Sequence, residues 1–242
     1  MNTRNQIAEC CKRLRLSRML TENIDTIDTE NRERFLLELL QKEIAHRNAA
    51  RIARNLKKAG FYTLKSFDDY IFDQIKLPEG ITPHSLQNCT FIEERKNLIL
   101  YGNVGTGKTH LATAVGVEAC KQGKLVKFFR TASLINQLLQ AREGGELPAY
   151  LKRLSKIDLL ILDEWGYVPV DRDGARLLFQ VVSDCYETRS IILTTNLEFS
   201  RWVTIFYDEH MTTAMIDRLV HHSYLLVFDG ESWRMKHSLI RH

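Results

Sequence analysis

The chain has 242 residues, 44% of them hydrophobic and 26% charged, with a formal net charge of +4. That length allows one α/β core with a smaller attachment, and the composition is that of a globular protein, which excludes disordered and fibrous classes. No apolar run approaches bilayer length, no signal peptide opens the chain, and five cysteines without C-x-x-C spacing offer no disulfide framework, so a cytoplasmic protein with reduced thiols and no membrane partner is expected.

In chain order, residues 4–20 carry Ile7, Leu14 and Leu16 among charges and read as helical. A long helix is expected next, with Asp28 or Thr29 as N-cap, Phe35, Leu36, Leu39 and Leu40 as its apolar stripe, and an end near Lys58 set by Gly60. Arg47, Arg51, Arg54 and Lys58 fall on one face of that helix, with Lys57 beside them. Acids are absent from 44 to 66, so this face lacks i,i+4 partners and is a candidate grip on nucleic-acid phosphates. Residues 1–66 hold fourteen Lys and Arg against eight Asp and Glu, which concentrates positive charge there and leaves the remainder slightly negative. We read 1–66 as a helical basic DNA-binding and assembly domain, 67–96 as a connector with a turn at Leu77-Pro78-Glu79-Gly80 and a short helix opened by Pro83, and 97–242 as the main domain.

In the main domain, apolar runs predict strands at 98–101, 125–129, 158–162, 190–194 and 225–228. Helices are expected near 108–121, 132–142, 147–155, 173–186 and 213–221. Such alternation implies an α/β fold, a parallel sheet flanked by helices on both faces. His221 and His222 are adjacent and are expected to point apart on a helix, so no structural metal is expected.

Residues Gly102-Asn103-Val104-Gly105-Thr106-Gly107-Lys108-Thr109 spell G-x-x-x-x-G-K-T between the first strand and a helix. That is the phosphate-cradling loop: its glycines let backbone N–H groups curl round phosphate oxygens, and the helix N-terminus, with His110 next in line, adds positive potential. Lys108 is expected to reach the β- and γ-phosphates and Thr109 to ligate Mg²⁺.

The strand Asp158-Leu159-Leu160-Ile161-Leu162 ends in Asp163-Glu164. Ligands sit at the carboxyl ends of parallel strands, so Asp163 is expected in the Mg²⁺ shell and Glu164 as the base that activates water. Asp163-Glu164-Trp165-Gly166 also fits the D-x-x-G of GTPases. The guanine-reading N/T-K-x-D is missing, because Ser155-Lys156-Ile157-Asp158 has the wrong first residue and precedes the acids, so adenine is preferred. Asn196, after the next apolar strand, is a candidate for the attacking water or γ-phosphate, and Arg218 for charge stabilisation from its own subunit or a neighbour's.

Taken in order, the P-loop, Asp163-Glu164, Thr195-Asn196 and Arg218 resemble the AAA+ ATPases. Gly105-Thr106-Gly107-Lys108-Thr109-His110-Leu111-Ala112, Asp163-Glu164-x-Gly166-Tyr167-x-Pro169, Asp217-Arg218-Leu219-x-His221-His222 and Gly230-Glu231-Ser232-x-Arg234 are similar to IstB-like proteins, the ATP-binding helpers of insertion-sequence transposition, themselves related to the helicase loader DnaC and the initiator DnaA. Leu14-Arg15-Leu16-Ser17 and Glu43-Ile44-Ala45-x-Arg47 resemble their small helical domain, so the resemblance spans the chain. Asn103 departs from a frequent proline, Trp165 from an aliphatic residue and Trp233 from a tyrosine. The short stretch after Arg234 leaves little room for a helical lid, which favours Arg218 as a finger acting in trans.

The resemblance implies ATP and Mg²⁺ as cofactors, hydrolysis to ADP and phosphate, a homo-oligomer assembled with ATP, duplex DNA as a partner and recruitment of a transposase. Arg47, Arg51, Arg54, Lys57, Lys58, Arg130, Lys152 and Arg153 are the expected phosphate contacts. A DnaC-type helicase loader is the alternative; a small-molecule P-loop kinase and a DNA-binding protein without turnover are weaker ones.

Overall fold

The computed structural model describes residues 3–68, 70–167, 171–206 and 208–236. It divides into two compact units, Met1–Arg54 and Asn55–His242.

The first unit is helical, with α1 (Thr3–Arg13), α2 (Met19–Glu22) and most of α3 (Arg32–Ala59). The expected helix over 4–20 is broken at Leu14, where Arg15 adopts a left-handed φ of 55°. Asn31, not Asp28 or Thr29, caps α3: its Oδ1 accepts from the N–H groups of Glu33 (2.9 Å) and Arg34 (3.0 Å). Cys11, Leu20, Ile27 and Leu39 form a small core. Beside it, buried Glu43 accepts hydrogen bonds from Ser17 N (2.8 Å), Ser17 Oγ and Arg47 Nε (2.7 Å).

The second unit carries β1 (Ile75–Lys76), α4 (Pro83–Gln87), α5 (Thr90–Glu93), β2 (Asn97–Gly102), α6 (Lys108–Lys121), β3 (Val126–Arg130), α7 (Thr131–Glu143), α8 (Leu147–Leu154), β4 (Leu159–Trp165), α9 (Arg172–Cys185), β5 (Ser190–Thr195), α10 (Val203–Phe206), α11 (Glu209–His221), β6 (Ser223–Phe228) and α12 (Trp233–Lys236). Pro83 opens α4 behind a Thr82–Ser85 capping box, as expected from its position. All five predicted strands are present, in a six-stranded sheet of order β1-β6-β2-β5-β4-β3. Only β1, a two-residue edge strand too short for a periodic signal, is antiparallel and was not anticipated.

Strands β2, β4 and β5 alternate between two cores. Leu98, Leu100, Val126, Phe128, Leu159, Ile161 and Ile192 face α6, whereas Ile99, Leu160, Leu162, Ile191 and Leu193 pack with residues of α7, α9 and α11. A sheet buried on both faces needs the near-continuous apolar runs seen in the sequence. Trp165 is fully buried against Trp202 (ring centroids 5.2 Å) and Phe206 (5.9 Å), which accommodates the bulky residue after the acids.

Candidate nucleotide site

The P-loop lies at the carboxyl end of β2, beside the ends of β5 and β6. Gly105 (φ 82°) and Gly107 (φ 95°) hold left-handed conformations. A Cβ on Gly105 would collide with Ser232 Oγ, and one on Gly107 would press on the Tyr70 hydroxyl at 3.3 Å. Leu111 N of α6 pairs back to the loop, on Gly107 O at 2.9 Å, and among the described residues the N–H groups of 108–110 take no backbone carbonyl, which leaves them to face an anion. The His110 ring itself turns to the connector, with Nε2 3.0 Å from Ser66 O and the Tyr70 ring 4.9 Å away; only its backbone N–H belongs to the cradle.

Lys108 Nζ donates to Gly102 O (2.7 Å) and to Asn103 O, which holds the ammonium across the mouth of the loop. Burial pushes its pKa down to about 8; Asp163 opposes that shift and Arg234 adds to it. The charges of Asp163 and Arg234 thus both act on the Lys108 ammonium. The Trp233 N–H donates to Gly105 O at 3.0 Å, laying the 232–236 segment on the P-loop. Arg234 was legible in the sequence only as part of a family pattern, because no local spacing relates it to residue 105.

Asp163 is buried at the end of β4. Its Oδ1 accepts from Thr109 Oγ1 (2.8 Å) and Thr194 Oγ1 (2.6 Å). Oδ2 has no hydrogen-bond donor among the described residues, and the Thr109 oxygen keeps a lone pair. These two oxygens form a hard-donor pair that fits a magnesium ion. Thr194, missed in the sequence because it lies before the strand end, also accepts the Glu164 N–H at 3.0 Å, so one hydroxyl positions both acids. Between Leu162 and Trp165 the ladder to β5 bulges, and Glu164 sits at φ 59°. A non-glycine residue held there carries about 1–3 kcal/mol of backbone strain. The bulge turns the Glu164 side chain out, 3.5 Å from Arg130 Nε, while the Arg130 guanidinium also lies 4.6 Å from the Tyr62 ring centroid.

The other expected site residues fare differently. Asn196 is exposed in the bend after β5 and does not join the Asp163 hydrogen bonds. Arg218 donates to Ser183 Oγ (3.0 Å) and lies 4.9 Å from the Phe179 ring. It sits in the last turn of α11, which leads into the amino end of β6, so it cannot complete its own subunit's P-loop at the carboxyl ends. Arg47 departs from expectation because Glu43, one residue beyond the acid-free stretch, pairs with it, and its guanidinium also donates to Arg15 O. Arg51 and Arg54 are exposed in the first unit, and Lys57 and Lys58 in the second. Lys127, not anticipated, is half-buried, and its pKa is lowered by that burial and, to a lesser degree, by the charge of Lys58. Lys152 and Arg153 close α8 near the amino end of β4, at the opposite end of the sheet from Arg130, so the three do not form one patch. Pro169 of the family pattern lies outside the described residues.

A family model described as IstB-like ATP binding protein matches residues 11–240. The chain belongs to the IstB-like ATP-binding family. Similar proteins include a putative ATP-binding protein of insertion sequence IS5376 from Geobacillus stearothermophilus, 35% identical and covering 96% of this chain and 95% of its own. The corresponding protein of IS21 from Pseudomonas aeruginosa is 38% identical over 85% of this chain and 78% of its own. Among solved structures, AMPPCP-bound DnaA from Aquifex aeolicus superposes with a TM-score of 0.51 at 22% identity, over 63% of this chain and 46% of that one. DnaI superposes with a TM-score of 0.52 at 17% identity, over 69% and 89%. The fold is that of the AAA+ P-loop proteins, and this IstB-like chain is an ATPase of that class. Among the described residues no helix is long and apolar enough to cross a membrane.

Proposed function

We propose that this IstB-like ATPase is the DNA-remodelling helper of a transposition system. It binds Mg²⁺-ATP, oligomerises on duplex DNA, recruits and activates a transposase, and resets by hydrolysis. The observation that carries this reading is the convergence of Lys108, Thr109, Asp163 and Glu164 at one strand-end site, with Arg130 on Glu164.

Thr109 and Asp163 hold the magnesium ion, which neutralises phosphate charge when bound. Lys108 and the N–H groups of 105–110 bind the β- and γ-phosphates and stabilise the charge that develops on the transferred phosphoryl. Glu164 takes the proton of the attacking water as the new P–O bond forms and the bond to the ADP oxygen breaks. Asn196 orients that water. Arg218, remote from its own P-loop, serves the pocket of a neighbouring subunit, so assembly and turnover are linked. Arg51, Arg54, Lys57, Lys58, Lys127 and Arg130 contact DNA phosphates without reading sequence. The domain limits 1–66, 67–96 and 97–242 remain our assignment of these roles along the chain.

The Arg130–Glu164 pair supplies a link between DNA and hydrolysis. Both partners are half exposed, and such a pair contributes only about 0–1 kcal/mol, so a DNA phosphate can draw Arg130 away and free the base. ATPase rate and sedimentation with and without duplex DNA test the reading. Wild type is expected to assemble and turn over faster on DNA, and Arg218→Ala to bind nucleotide but lose assembly or turnover. No response to DNA, with stable binding to a replicative helicase instead, would favour the loader.

A further inference from the structure

At the amino ends of the strands, away from the P-loop, the end of α11 meets the turn between α9 and β5. His221 closes the helix and His222 is its C-cap, with φ −116° and ψ 37°. The helix therefore ends between the two residues, and their rings converge instead of diverging: their centroids lie 4.4 Å apart. Glu187 comes from the opposing turn, with its Oε1 3.0 Å from His222 Nε2. One ligand atom from each of Glu187, His221 and His222 lies within 4.8 Å of the others. Ligands on a tetrahedral ion at about 2.0–2.2 Å stand about 3.3–3.6 Å apart, so small rotamer adjustments bring all three into a coordination shell.

The backbone around these groups is fixed independently of any ion. Glu187 is held in the left-handed region at φ 54°, with its carbonyl accepting from Arg95 at 3.2 Å. The His222 carbonyl accepts the Asn97 N–H at 2.7 Å, at the start of β2. The Tyr186 hydroxyl lies 3.1 Å from His221 Nδ1, the kind of outer partner that fixes a ligating imidazole. Among the described residues this is the group of three His, Cys, Asp or Glu within ligating reach of one another.

We propose that Glu187, His221 and His222 form a binding site for a divalent metal ion of the zinc class, with Tyr186 as the residue that positions His221. Two imidazoles and one carboxylate are the donor set that a borderline ion prefers, and the groups are exposed enough to leave a fourth position to water. A bound ion would fasten the end of α11, which carries Arg218 one turn earlier, to the turn before β5.

The test uses the full chain, stripped of metal and free of any histidine tag, titrated with zinc chloride by calorimetry and with cobalt chloride by visible absorption. We expect about one zinc per chain, a cobalt spectrum of low coordination number, and a higher melting temperature with zinc. His221→Ala and His222→Gln should lose the zinc uptake, the cobalt spectrum and the melting shift. Tyr186→Phe should weaken zinc binding about ten- to a hundredfold. Asp163→Asn, which removes the acid at the P-loop, should retain all three signals. Circular dichroism identifies any variant that fails to fold, and either histidine variant suffices if the other is lost. No stoichiometric uptake by wild type, or uptake that follows Asp163 and not the histidines, overturns the assignment.

Discussion

Arg130 Nε stands 3.5 Å from Glu164 Oε2, so the last residue of one strand restrains the acid at the end of the next. The pairing follows from sheet order, because β3 and β4 are neighbours and Arg130 is in register with Asp163. We predict that Arg130→Ala raises the DNA-free ATPase rate severalfold and flattens its stimulation by duplex DNA. Glu164→Gln should abolish turnover while leaving nucleotide binding intact. Steady-state phosphate release across a DNA titration reads both.

Thr194 ties the two acids together. Thr194→Val preserves shape but removes the donor to Asp163 Oδ1 and the acceptor for the Glu164 N–H. Asp163 Oδ1 keeps the hydrogen bond from Thr109, so the loss is one charge-assisted hydrogen bond and the acceptor for one part-buried N–H, about 1–3 kcal/mol together. Chemical denaturation should show that loss together with a fall in ATPase rate, and Thr194→Ser should recover most of both.

Lys108 gives nucleotide affinity a pH dependence. Its pKa in the free protein is lowered to about 8. Bound phosphates favour the charged ammonium and raise it, so binding takes up a proton once the pH exceeds about 8, and affinity falls as the pH rises through that value. Arg234 contributes to the lowering, so Arg234→Ala should move the fall in affinity to higher pH. Calorimetry in buffers of different ionisation enthalpy counts the protons.

Glu43 anchors the N-terminal unit. Burial alone would raise its pKa, but the hydrogen bonds from Ser17 and Arg47 outweigh that and hold it below the ordinary glutamate value. A lowered carboxylate contributes stability that is present above its unfolded value and is lost as pH falls through the folded one. Acidification should therefore loosen the first unit, and Glu43→Gln should weaken it at neutral pH and remove that part of the acid sensitivity. Hydrogen exchange of α1 and α3 measures it.

The strand–loop–helix run at 97–121 and the acids of β4 were legible because each is a local pattern: unbroken apolar runs for strands buried on both faces, glycines where φ is positive, and carboxylates at a strand end. The partners that complete the site were not, since Thr194, Tyr70, Ser232 and Arg234 reach it only through tertiary approach. The acid-free stretch suggested an unpaired Arg47, yet Glu43 lies just outside it at helical spacing. His221 and His222 illustrate the same limit, since adjacency argues for divergence only while the helix continues.

The central claim is that one pocket, built by Lys108, Thr109 and Asp163, binds Mg²⁺-ATP. Calorimetric titration of the magnesium complex of a non-hydrolysable ATP analogue into wild type and Lys108→Ala tests it most directly. The account predicts saturable binding by wild type that needs magnesium and is lost in Lys108→Ala. Absence of binding by folded wild type, or equal binding by the variant, would contradict it.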